Sequence, residues 1–129
     1  MTKILVIEDE ETVRENILEL LDAEGFDAIA AENGRIGLSR AKQHLPDLIL
    51  CDIRMPELDG YGVLTALRSE SKTAEIPFIF LSAKAAKTDL KVGMDLGASA
   101  YIVKPFTLIE LLDTMEKVLL PSSLPLVGK

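Results

Sequence analysis

The amino-acid sequence predicts a three-layer α/β/α sandwich around a parallel five-stranded sheet. Short apolar runs recur along the chain, and the segments between them space their apolar residues three and four apart. The length, 129 residues with 48% hydrophobic and 27% charged side chains, suits one domain around one core. Strands that alternate with helices pair in parallel through right-handed crossovers, with helices covering both faces.

The first run, Ile4 to Ile7, is too short for a helix and rich in branched residues, as a strand buried on both faces should be. Val13, Ile17, Leu20 and Leu21 then share one helical stripe. Thr12 and Glu15 have the spacing in which hydroxyl and carboxylate cap a helix start reciprocally. Gly25, Gly60 and Gly97 fall between elements, where helix ends and tight turns favour glycine. Phe26 to Ala31 alternates with small residues, the pattern of an edge strand. His44 falls near the end of the second helix, where its side chain suits free carbonyls. Leu48 to Cys51 is the third strand, with Cys51 a small buried apolar residue, and Phe78 to Leu81 is the fourth. The mixed charges Lys84, Lys87, Asp89, Lys91 and Asp95 describe a solvated helical face. Tyr101 to Val103 is the fifth strand. Leu108, Leu111, Leu112, Met115 and Val118 form the last helical stripe, headed by a second capping pair, Thr107 and Glu110.

The weak second strand belongs at an edge and the strongest runs inside, which gives the flavodoxin-like order 2-1-3-4-5. The domain extends over residues 1–120. Residues 121–129 contain two prolines and read as a tail or the start of a linker.

Subtracting 21 acids from 14 bases leaves a net charge of −7, which repels phosphate backbones and anionic lipid headgroups. Neither a direct nucleic-acid grip nor a membrane contact is expected. With Cys51 as the one cysteine there is no internal disulfide, and the chain opens on a strand-like run where a basic leader would stand. No apolar run approaches the roughly 18 to 20 residues that span a bilayer. The expected compartment is the cytoplasm.

In a parallel sheet all strands end at one edge, and ligands bind there, where the strand order reverses. The first strand runs into Glu8 and Asp9, the third into Asp52, the fourth into Ser82 and the fifth into Lys104 and Pro105. Three carboxylates, a hydroxyl and an ammonium from across the chain would thus converge. Clustered carboxylates raise one another's pKa unless cations neutralise them. Lys104 supplies one positive charge, and an oxygen-liganded Mg²⁺ ion would supply two more. A neutralised carboxylate can then act as a nucleophile toward phosphorus, with the cations stabilising the transferring group.

These residues resemble the receiver domains of two-component response regulators. The resemblance covers about Lys3 to Leu120 and rests on four stretches in order: Val6 to Glu10, Asp52 to Gly60, Leu81 to Ala83, and Tyr101 to Phe106. It implies that Asp52 accepts a phosphoryl group from the phosphohistidine of a sensor histidine kinase or a histidine phosphotransfer protein. Asp9, Asp52 and the backbone carbonyl of Arg54 would bind Mg²⁺ directly, with Glu8 acting mainly through metal-bound water. Lys104 would contact the phosphoryl oxygens, Ser82 would hydrogen-bond them, and Tyr101 would be an aromatic switch. The Lys104–Pro105 bond is expected to be cis. The resemblance implies a regulator with autocatalytic phosphotransfer and autodephosphorylation, not an enzyme, acting on an output domain or target protein that the sequence does not name.

Glu8 stands where many members have Asp. Residues 97–100 lack the acids that pair across a homodimer in many relatives, which weakens the phosphorylation-dependent dimer that the resemblance allows. Arg54 and Lys84 lie two residues past Asp52 and Ser82, and as long cations they are expected to cover the phosphoryl group and slow its hydrolysis. Phe106 suits either the core or a docking surface. The alternative is a metal-dependent aspartyl-phosphate phosphatase of haloacid dehalogenase type, which wants a second Asp where this chain has Arg54. A flavin carrier would need a phosphate loop after the first strand, and residues 8–11 are all acidic.

Overall fold

The computed structural model describes residues 2–83 and 87–119. Its strands are β1 (Lys3–Ile7), β2 (Asp27–Ala31), β3 (Leu48–Asp52), β4 (Phe78–Ser82) and β5 (Ala100–Val103). They alternate with α1 (Glu11–Ala23), α2 (Gly34–His44), α3 (Gly60–Arg68), α4 (Lys87–Asp95) and α5 (Leu108–Leu119). The sheet is parallel throughout, in the order β2-β1-β3-β4-β5. Residues 121–129 and Lys84, for which the sequence predicts a tail and a phosphoryl-covering cation, lie outside the described residues.

Side chains alternate across a strand, so the apolar runs divide into two cores. Leu5, Ile7, Ile49, Cys51, Phe78 and Phe80 pack with Val63, Leu64 and Leu67 of α3 and Ala41 of α2. Ile4, Val6, Leu48, Leu50, Ile79 and Leu81 pack on the opposite side with Ile17 and Leu21 of α1 and Leu111 and Met115 of α5. β3 is buried at every position and β2 is only half-buried, which accounts for the strong and weak patterns of the two runs. Phe26 precedes β2 and packs on the second core. Phe106 is half-buried against the same core. Cys51 is fully buried, and that burial, with the nearby charges of Asp52 and Glu8, pushes its thiol well above the ordinary range.

The two Thr-x-x-Glu segments differ in structure. Thr107 and Glu110 form the predicted reciprocal cap: the Thr107 N–H donates to Glu110 Oε1 at 2.8 Å, and the Glu110 N–H donates to Thr107 Oγ1 at 3.0 Å. Thr12 and Glu15, in contrast, lie inside α1, which begins at Glu11 with Glu10 as its N-cap residue. The tertiary site overrides the local pairing here, because the buried Glu8 carboxylate accepts the Glu10 N–H at 3.1 Å and turns the chain directly into the helix.

Gly60 is the first residue of α3 rather than a connector. Its N–H donates to the Ile53 carbonyl at 2.8 Å, and a Cβ there would collide with the Asp52 carbonyl oxygen and lie 3.0 Å from the Ile53 Cα. This contact presses the start of α3 against the end of β3. His44 lies in the last turn of α2, as predicted. Among the described residues no helix is long and apolar enough to cross a membrane.

Candidate functional site

The register sets the geometry of the sheet edge. Ile7 pairs with both Ala31 and Cys51, so Glu8 follows β1 at the level where Asp52 closes β3. Asp52 pairs with Leu81 and Ser82 pairs with Val103, so Ser82 and then Lys104 stand one step further along. The predicted convergence occurs. Carboxylate oxygens of Glu8, Asp9 and Asp52 all lie within 4.8 Å of one another. The Lys104 ammonium reaches back to them, 2.9 Å from Glu8 Oε1 and 3.7 Å from Asp52 Oδ1. The Lys104–Pro105 bond is cis, and the Lys104 N–H donates to the Ser82 carbonyl at 2.6 Å.

The two first-strand acids differ in kind. Asp9 is exposed, whereas Glu8 is fully buried and held by Lys104, by the Glu10 N–H and by Arg14 of α1, whose guanidinium donates to the Glu8 carbonyl at 2.9 Å. A buried carboxylate persists as an anion only with such partners. Glu8 therefore spends its oxygens mainly within the protein, and Asp9 and Asp52 are the acids turned to the opening.

Asp52 is 7% exposed and accepts the Ile53 N–H at 2.8 Å. Burial first, and then the charge of Glu8, raise its pKa from the ordinary 3.8 to about 7, against the opposing pull of Lys104 and the Ile53 hydrogen bond. For Lys104 burial works to lower the pKa, but the Glu8 hydrogen bond and the charges of Asp52 and Glu8 outweigh it and raise the value above that of an ordinary lysine. The cluster holds more negative charge than it neutralises. A donor set of carboxylate oxygens around such a surplus suits a hard divalent cation.

A cavity of about 440 Å³ opens over these groups, lined by Asp9, Asp52, Arg54, Ser82, Asp89 and Lys104. Ser82 is 5% exposed at the end of β4. Tyr101 on β5 is 44% exposed and turned outward. The sequence places Asp89 on a solvated helical face. The structure instead turns its carboxylate to Arg54, Oδ2 to Nη2 at 2.7 Å, and this contact raises the guanidinium pKa. Charge spacing along a helix reveals exposure but carries no signal for a partner on a distant loop. Lys91 and Asp95 do lie on the expected solvated face, where they also pair at 3.5 Å.

The sequence profile of the response regulator receiver domain matches residues 4–116. The chain belongs to that family. As a receiver domain it is a phosphoacceptor module of two-component signalling, with a regulatory rather than an enzymatic role. It is 45% identical over 109 residues to the probable transcriptional regulator ycf27 of Porphyridium aerugineum, a match that covers 84% of this chain and 44% of that protein. It is 40% identical over 111 residues to the transcriptional regulatory protein PcoR of Escherichia coli, covering 86% of this chain and 48% of that protein. The receiver domain thus spans somewhat under half the length of these relatives. Among solved structures, the chemotaxis protein CheY4 of Vibrio cholerae superimposes with a TM-score of 0.87 at 29% identity, over 92% of this chain and 98% of that one. A response regulator receiver domain protein from Clostridium thermocellum gives 0.88 at 28% identity, over 96% and 98%. These likenesses are to response regulators and give no support to the phosphatase alternative.

Proposed function

We propose that Asp52 is the phosphoacceptor of this receiver domain and takes its phosphoryl group from the phosphohistidine of a sensor histidine kinase or a histidine phosphotransfer protein. The observation that carries this reading is the placement of Asp52: a nearly buried carboxylate at the floor of an open cavity, with Lys104, Glu8 and Asp9 around it. An oxygen of Asp52 attacks phosphorus as the P–N bond to the imidazole breaks, and the imidazole nitrogen keeps the electron pair and gains a proton. Lys104 neutralises charge on the phosphoryl oxygens, and Ser82 donates a hydrogen bond to one of them. Asp9, Asp52 and the Arg54 backbone carbonyl would hold Mg²⁺, with Glu8 acting through metal-bound water because its own oxygens are engaged. Bound Mg²⁺ supplies positive charge that favours the ionised form of Asp52 and offsets the charge of the phosphoryl group. Autodephosphorylation is the same displacement with water as nucleophile, returning inorganic phosphate and the Asp52 carboxylate.

The switch follows from the added charge. As Ser82 moves to the phosphoryl group, Tyr101 turns inward, and the surface around α4 and β5, where Val92, Met94 and Tyr101 are exposed, changes shape for an output domain or target protein. PcoR is named a transcriptional regulatory protein and ycf27 a probable transcriptional regulator, so we place the output in control of transcription, in the cytoplasm where the phosphodonor works.

Incubation with acetyl phosphate and Mg²⁺ should load the wild-type domain with stoichiometric acid-stable, base-labile phosphate. Asp52→Asn should load none, because an amide is no nucleophile. Stoichiometric labelling of that variant would remove Asp52 from the role.

A further inference from the structure

Two ties fasten the first turn of α4 to the chain that follows Asp52. The Arg54 guanidinium donates to the Asp89 carboxylate at 2.7 Å, and the Tyr61 hydroxyl donates to the Asp89 carbonyl at 2.8 Å. The Tyr61 ring in turn stands edge-on to Phe80 of β4, with centroids 5.5 Å apart. The Arg54 side chain is 79% exposed and that of Asp89 only 25%, so the carboxylate is the fixed partner and the guanidinium the movable arm. An ion pair with one such exposed member adds little to stability. Its consequence lies in where it parks the cation.

Both residues line the cavity over Asp52. A phosphoryl group on Asp52 brings new negative charge and oxygens that a guanidinium can bind in bidentate fashion. Arg54 would then face two anions, one on α4 and one on Asp52, and could satisfy only one of them fully.

We propose that Asp89 is a positioning residue that competes with the phosphoryl group for Arg54, and so limits how far this cation shields the acyl phosphate. The proposal rests on Asp52 as phosphoacceptor. Hydrolysis requires water to reach phosphorus opposite the Asp52 oxygen, with the P–O bond to Asp52 breaking to give inorganic phosphate and the free carboxylate. A guanidinium on the phosphoryl oxygens obstructs that approach, whereas one held by Asp89 does not. Transfer of Arg54 also opens one of the two ties on α4 and leaves the Tyr61 tie in place.

The test compares the decay of phosphate-labelled protein in four backgrounds. Asp89→Asn should lengthen the half-life about fivefold, Arg54→Gln should shorten it, and the double variant should decay like Arg54→Gln alone. A role for Asp89 confined to seating α4 would change decay equally with and without Arg54, and that result overturns the proposal. An unchanged or shortened half-life in Asp89→Asn overturns it too. Asp89→Ser repeats the comparison if the amide variant does not fold. If Asp52→Asn takes up label as well as wild type, the phosphoacceptor reading fails and the proposal falls with it. That outcome is distinct from normal Asp52-dependent labelling whose decay ignores Asp89.

Discussion

Asp52 pays a folding penalty for its position that its neighbours only partly relieve. Its pKa of about 7 in the folded domain exceeds the ordinary 3.8, so over that interval the native state keeps a proton that the unfolded chain has released. Stability therefore falls as pH rises through the window. Without Mg²⁺, wild type should lose about 2 kcal/mol more than Asp52→Asn between roughly pH 4 and pH 8, after discounting for solvent near the carboxylate. Denaturant titrations of the two proteins across pH check this, and parallel curves would show that Asp52 ionises normally. Glu8 is the strongest neighbouring charge raising Asp52, so Glu8→Gln should move the Asp52 midpoint downward, as read from the chemical shift of its carboxyl carbon. Glu8, Asp9, Asp52, Ser82 and Lys104 were legible in the sequence because each follows an apolar run, and parallel strands gather their ends at one edge. Asp89 and Arg14 were not. Each acts through a contact across the fold, with Arg54 or with the Glu8 carbonyl, that helical spacing cannot encode.

At the scale of elements, the contrast between the two capping pairs shows what local sequence decides. The Thr107–Glu110 cap closes with each N–H donating to the other residue's side chain, and Thr107→Ala should cost about 1 kcal/mol in equilibrium unfolding. At α1 the same spacing lost to Glu8, whose place in the site fixed the helix start two residues earlier than the motif suggests. Packing between elements was equally invisible in advance. A Cβ on Gly93 would lie 2.7 Å from the Phe80 ring, so α4 sits directly on the aromatic pair that β4 and α3 share. Gly93→Ala should displace α4 and cost about 2 kcal/mol of stability. Amide shifts in α4 that match wild type would show that the ring yields instead.

For the molecule as a whole, strand order followed from one inequality among the apolar runs: a weak second strand must lie at an edge, and the structure puts it there. The depth of the central strands was legible for the same reason, since a run apolar at every position has no solvent face. The relatives extend well past the length of this chain. The central position of β3 has one more consequence. Cys51, the one cysteine, lies fully buried between β1 and β4, with its thiolate strongly disfavoured. An alkylating reagent can reach it only after the sheet has parted, so the labelling rate under native conditions is a stopwatch for that opening. Asp52 is the next residue, and an occupant that binds only the closed sheet edge slows the clock by a factor of one plus the ratio of its free concentration to its Kd. A mass spectrometer and a mild electrophile would thus weigh metal, phosphate mimic and partner on a single scale, in a chain that needs no engineered probe.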